Sequence, residues 1–174
     1  VNIRIANPED AKSIARIHVE AWRVAYKGIM PADFLESISL DARERSWVAS
    51  LSRAGRGHYV VIEQDGGVAG FCVYGPPRDG GLKSKNTGEL VALNIAPSAW
   101  GKGLGACLIQ HVINSAHSFG WDSICLWVVK DNSRARELYE RFGFVLDAGG
   151  KIEALSPSYD LHELRYVLSL PANS

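Results

Sequence analysis

The chain is 174 residues long and carries 19 Lys plus Arg against 19 Asp plus Glu. That length suits one domain with a sizeable core, expected over residues 1–174, and the charge balance gives no reason to expect nucleic acid or another polyion as a partner. Cys72, Cys107 and Cys125 are too widely spaced for a disulfide framework, and no apolar run approaches ~20 residues or opens the chain as a leader, so a soluble protein of a reducing cytoplasm, with no membrane partner, is expected.

"NIRIA", residues 2–6, alternates as a short strand, and "NPEDAKSIARIHVEAWRVAY" follows with Ala11, Ile14, Ala15, Ile17, His18, Ala21 and Trp22 near helical spacing. Asn7 is the expected cap and Pro8 lies in the first turn. "MPADFLESISL" and "DARERSWVASLSRA" predict a second, broken helix after a turn marked by Gly28 and Pro31. In "HYVVIEQDGGVAGFCVYG" two β-branched and aromatic runs flank Asp65, Gly66 and Gly67, the pattern of a hairpin whose turn needs positive φ. Pro76 and Pro77 end it, and a polar, glycine-rich loop is expected over residues 78–88. Residues 89–96 then predict a strand, and residues 103–119 a helix that buries Leu104, Leu108, Val112 and Ala116. "DSICLWVVK" predicts another strand, "NSRARELYERFG" a helix capped by Asn132 or Ser133 and stopped by Gly143, and "FVLDA" and "LHELRYVLSL" two more strands. The order contains one strand–helix–strand crossover, which implies an α/β (α+β) fold with a mixed, mostly antiparallel sheet.

Between the strand at 89–96 and the following helix the chain reads "PSAWGKGLGA". Gly101, Gly103 and Gly105 there bring backbone N–H groups, with no Cβ in the way, to the positive end of a helix dipole, which is how a phosphate cradle is built. Lys102 adds a cation at the rim. A tight strand-to-helix turn would use the same glycines, so the surroundings must decide. Gly101, Gly103 and Ala106 formally satisfy the G-x-G-x-x-A dinucleotide pattern, but that fold wants successive strand–helix units and only one crossover is present. The ATP-type G-x-x-x-x-G-K-[ST] loop is absent.

Trp100 to Gly105 resembles the [Q/R]-x-x-G-x-[G/A] loop of the GNAT superfamily of acetyl-CoA-dependent N-acetyltransferases, with Gly103 and Gly105 at the two required positions and Trp100 in place of Gln or Arg. "DNSRARELYERFGF" matches that family's N-x-x-A-x-x-x-Y-x-x-x-G-F at Asn132, Ala135, Tyr139, Gly143 and Phe144. The resemblance covers nearly the whole chain. It implies a sheet of about seven strands, splayed at the fourth and fifth, with about four helices. It implies acetyl-CoA as cosubstrate, held by Gly101, Lys102, Gly103, Leu104, Gly105 and Ala106 at the pyrophosphate. Main-chain groups of Asn94, Ile95 and Ala96, with Asn132 and Tyr139, would hold the pantetheine arm. The Tyr139 hydroxyl would protonate the departing thiolate; the stripe of Ala135, Leu138, Tyr139 and Phe142 fits a core face equally well.

An alkylammonium has no lone pair at neutral pH, so attack on a thioester needs a base, and Glu89 at the start of the fourth strand resembles the glutamate used in histone-modifying members. The three cysteines lie beside neither a His nor a helix start, so direct transfer to a primary amine is expected, with no metal. "HVEAWRVAYKGIMPADFL" is similar to a bacterial subgroup not far from enzymes that acetylate amino-acid-like compounds such as phosphinothricin. It places Arg23 and Tyr26 at the acceptor rim, while "GGKIEALSPSYDLHE" is expected as a late loop bringing Tyr159 or His162 there. The expected activity is therefore small-molecule N-acetylation, with a protein or peptide acceptor, or an acyl-CoA sensor without turnover, as alternatives, and a homodimer left open.

Overall fold

A computed structural model describes residues 1–53, 55, 57–78, 86–156 and 159–172. Most of the loop expected over residues 78–88, and Ala54 at the end of the second helix, lie outside the described residues. The strands are β1 (Asn2–Ile5), β2 (His58–Gln64), β3 (Gly67–Gly75), β4 (Thr87–Ile95), β5 (Ser123–Val129), β6 (Val145–Ser156) and β7 (Tyr159–Ser169). The helices are α1 (Ala11–Ala25), α2 (Ala32–Ser37), α3 (Leu40–Ser52), α4 (Leu104–Ser118) and α5 (Ser133–Arg141). The strands hydrogen-bond in the order β1-β2-β3-β4-β5-β7-β6. β4 and β5 pair in parallel, whereas β1–β2, β5–β7 and β6–β7 are antiparallel, so the sheet is mixed and mostly antiparallel as its element order implies.

Local chemistry sets several element ends. Asn7 accepts from the Glu9 N–H while the Asp10 carboxylate accepts from the Asn7 N–H, a reciprocal cap on the 3-10 turn Pro8–Asp10 that leads into α1. The expected second helix is split into α2 and α3 because Ile38 and Ser39 turn extended, with the Ser39 hydroxyl accepting from the Ala42 N–H, so the described residues hold five helices, one more than expected. Asp65 (φ 53°) and Gly66 (φ 81°) are consecutive left-handed residues and close the β2–β3 hairpin as their sequence requires.

The chain folds as two compact units. The first, Val1–Val73 with Ala92–Leu108, packs Ile14 and Ile17 of α1, Val61 and Ile62 of β2 and Phe71 of β3 out of water. Within it the His18 ring meets the edges of Trp22, Trp47 and Phe71, and its Nδ1 accepts from the Trp47 indole at 3.3 Å. Burial, with a smaller push from Arg43, lowers the imidazole to about 4, so it stays neutral and able to accept that bond at neutral pH.

The second unit, Tyr74–Val91 with Ile109–Ser174, buries Leu90 of β4, Ile109 and Val112 of α4, Ile124 and Leu126 of β5 and Tyr166 of β7. Gly88 lies flat against the Trp121 ring, where any Cβ would collide. Residues 149–156 correct an expectation: predicted as a loop, they continue β6 and pair with β7, from Gly150↔Leu164 to Ser156↔Tyr159. The register shifts between Leu146 and Gly150, and this bulge lets an alternating segment rejoin the ladder. Gly149 suits it because the Arg165 guanidinium stands where a Cβ would be, 2.9 Å away.

Candidate active site

The glycine segment turns from β4 into α4 through Gly101 (φ 77°) and Gly103 (φ 78°), conformations that a side chain would strain. Both are exposed, as is Lys102, and a Cβ built on either glycine meets nothing within 4 Å. The requirement for glycine there is therefore conformational and not steric crowding by the protein. Among the described residues the first amide after the loop to reach a main-chain carbonyl is that of Cys107, on Gly103 at 3.1 Å. The N–H groups of residues 101–106 are thus left for solvent or a ligand, at the start of a 15-residue helix. Trp100, which departs from the motif, donates its indole N–H to the Ile95 carbonyl at 2.8 Å and straps the loop to the end of β4.

Of the β4 main-chain groups expected to meet a pantetheine arm, two are already engaged. The Ala96 N–H bonds the Ala69 carbonyl at 2.8 Å, and the Ile95 carbonyl accepts from Trp100. Because a strand's hydrogen-bonding groups alternate sides, the Ile95 N–H points away from β3. In the second unit Asn132 caps α5, its side-chain oxygen accepting from the Ala135 N–H at 3.2 Å. Tyr139 is buried on α5 with its ring edge-on to Phe144 at 5.9 Å. Gly143 stops the helix with φ 91°.

Glu89 is 1% exposed. Its Oε1 accepts from the Arg78 backbone N–H at 2.9 Å, and its Oε2 accepts from Arg78 Nη2 at 2.7 Å and Nε at 3.1 Å. This carboxylate is committed to a two-pronged ion pair, which no sequence signal reveals since the partner lies in a glycine-rich loop. On the acceptor side, the Arg23 guanidinium donates to the carbonyls of Leu35 and Ile38 and so holds the end of α2. Tyr26 ends α1, packed edge-on to Trp22 at 5.1 Å. Tyr159 opens β7, half-buried, and His162 is exposed further along it.

The acetyltransferase (GNAT) family model matches residues 12–144. The chain belongs to this family. It is 33% identical over 132 residues to the uncharacterized N-acetyltransferase YuaI of Bacillus subtilis, covering 76% of this chain and 73% of that one. Among solved structures, the ribosomal-protein-alanine N-acetyltransferase of Brucella melitensis superposes with a TM-score of 0.74 at 23% identity, covering 98% of this chain and 100% of that one. The PaiA N-acetyltransferase of Thermoplasma acidophilum, in complex with coenzyme A, gives 0.71 at 21% identity, covering 94% and 96%. At these identities the structures speak for the fold. The chain is a GNAT-type acyltransferase.

This GNAT chain also carries a group of side chains that its motifs do not include. Register places Glu89 opposite Cys125, Trp127 opposite Arg165, and Glu163 opposite both Val129 and Lys151. Alternation along β5 and β7 then puts Glu89, Trp127, Arg165, Glu163 and Lys151 on one face of the second unit. The distances agree: Lys151 Nζ lies 4.5 Å from the centre of the Trp127 ring and 4.0 Å from Glu163 Oε1, and Arg165 bonds Asp147 at 2.7 Å. α5 lies on the opposite face, where the Tyr166 hydroxyl accepts from Arg136 Nε and donates to Glu140.

Proposed function

We propose that the chain moves an acetyl group from acetyl-CoA to a primary amine of a small, amino-acid-like molecule by direct attack, with both units serving one activity. The observation that carries this reading is the run of main-chain N–H groups at residues 101–106, which points at no protein carbonyl among the described residues and begins α4. A pyrophosphate fits that chemistry, since oriented amides and a helix dipole favour an anion and Lys102 stands exposed beside them. The Ile95 N–H is the β4 group proposed for the pantetheine arm, Asn132 supports the arm from the cap of α5, and Tyr139 returns a proton to the leaving thiolate. Tyr26 and Tyr159 are proposed for the acceptor side, with Arg23 acting through the α2 end that it holds. No disulfide joins Cys72, Cys107 or Cys125 among the described residues, which suits the reducing cytoplasm proposed as the setting, and among the described residues no helix is long and apolar enough to cross a membrane.

Binding of acetyl-CoA to wild type and Gly103→Val, measured by calorimetry with the melting temperature followed in parallel, tests the cradle. Valine resists positive φ and fills the open space above the loop, so affinity should fall at least ~10²-fold with the fold retained. Equal affinities would remove residues 101–106 from the cofactor site. A screen of amino acids, other small amines and peptides for thiol release then separates small-molecule from peptide acceptors.

A further inference from the structure

Amine acetylation needs a proton acceptor, and Glu89 is enclosed by Arg78 with both carboxylate oxygens occupied. Glu163 differs on each count while standing on the same sheet face. Its side chain is 15% exposed, and among the described residues its nearest charged partner is Lys151 at 4.0 Å and its carboxylate accepts no hydrogen bond. It is held on β7 opposite Val129, three residues beyond the point where β5 stops pairing with β4 at Leu126. β7 lies on the side of β5 away from β4, and Glu163 stands there on the face opposite to α5, the helix that carries Tyr139.

Resting on the acetyltransferase reading above, we propose that Glu163 is the catalytic base, taking the proton from the acceptor ammonium, while Glu89 serves to hold Arg78 in place. The ammonium gives one proton to a Glu163 oxygen, and the freed nitrogen lone pair forms the bond to the acetyl carbon as the carbon–sulfur bond breaks. The sulfur leaves with that bond's electron pair and takes a proton from Tyr139. The nitrogen's second surplus proton restores Tyr139 through solvent, and Glu163 releases the first to bulk water through its exposed edge. One proton thus ends on the coenzyme A thiol and one in solvent, which balances the conversion of an ammonium and a thioester to an amide and a thiol.

The surroundings suit the task. Burial raises the Glu163 carboxyl above its ordinary range, Glu153 and Glu89 add to this, and Lys151 and Arg78 oppose it. A carboxylate raised toward the working pH is a better base than an ordinary one.

The test uses the full chain with acetyl-CoA saturating and two kinds of acceptor: primary alkylamines, which are protonated at neutral pH, and hydroxylamine, which is not. Thiol release by wild type and Glu163→Gln is followed across pH, with the uncatalysed rate subtracted. Glu163→Gln should slow transfer to alkylamines ~10²–10³-fold, leave hydroxylamine within a few-fold, and remove the acid-side fall of kcat/KM. Equal losses on both acceptors would mark Glu163 as a structural residue, and no loss on alkylamines would overturn the proposal as directly. If Glu163→Gln does not fold, Glu163→Asp, which keeps the charge and draws the carboxylate back by one methylene, decides instead: it should slow transfer to alkylamines and leave hydroxylamine within a few-fold, and wild-type rates on alkylamines would overturn the base. A wild type that transfers to no amine overturns the acetyltransferase reading and this base with it; transfer by wild type that Glu163→Gln leaves unchanged overturns the base alone.

Discussion

Residues 101–106 offer main-chain N–H groups, whereas the face built from β4, β5, β7 and β6 offers side chains held by register, and the two respond differently to substitution. In the loop the required property is a backbone conformation, so Trp100 can replace the motif's polar residue and take up a different job, bonding Ile95. Arg78 matters because Glu89 is buried, and Glu163 differs from Glu89 because, among the described residues, no arginine bonds it. A backbone site tolerates sequence drift around it, while a side-chain site fails when one partner changes.

The largest effect expected from side-chain chemistry is at Tyr139. Tyr139→Phe keeps the ring packed on Phe144 and removes only the hydroxyl, so kcat should fall ~10²–10⁴-fold while acetyl-CoA affinity stays near wild type. Single-turnover transfer to amines of different basicity measures it. Rates equal to wild type across that series would leave Tyr139 as a packing residue of α5.

Next in size is the Arg78–Glu89 pair. Arg78→Met leaves a carboxylate that is 1% exposed without its guanidinium, and should cost about 2–3 kcal/mol, below the range for a fully buried pair because the Arg78 side chain is 58% exposed. Adding Glu89→Leu to Arg78→Met should recover most of that loss, since an apolar side chain of similar size has no charge to orphan. Denaturant melts of the two single variants and the double variant close the cycle. Additive losses would show that the pair is not coupled, and with that the contrast between the enclosed Glu89 and the open Glu163 would weaken.

The loop and α5 are legible in the sequence because each is a local device. Positive φ at Gly101 and Gly103, the cap at Asn132 and the stop at Gly143 depend on residues within a few positions of one another. The helices and hairpin are readable for the same reason, as Asn7, Asp65 and Gly66 show. The charged face is not readable. Glu89, Trp127, Lys151 and Glu163 come from four strands, and their meeting depends on a parallel register, an antiparallel register and a bulge at Gly149 and Gly150 that hides the second half of β6 from its composition. Glu89 stands out by resemblance alone, and nothing in its neighbourhood along the chain announces that Arg78 covers it.

The smallest effect expected is at Trp100, where the loop is tied to side-chain chemistry after all. Its indole N–H makes a neutral hydrogen bond to Ile95 at 2.8 Å, and Ile95 ends the strand whose next amide, that of Ala96, is fixed to Ala69. Trp100→Phe retains an aromatic ring of lesser size and leaves that carbonyl to water, so stability should drop by about 1 kcal/mol. Because the cradle is made of main chain, acetyl-CoA affinity should weaken only a few-fold, far less than with Gly103→Val. Trp100→Gln restores the residue type of the resembled motif and keeps a donor at this position, so it should retain more affinity than Trp100→Phe. Calorimetry on the three variants beside wild type orders them. If Trp100→Phe abolished binding as fully as Gly103→Val, the loop would depend on its strap as much as on its glycines, and the distinction between a backbone site and a side-chain site would fail at this end of the molecule.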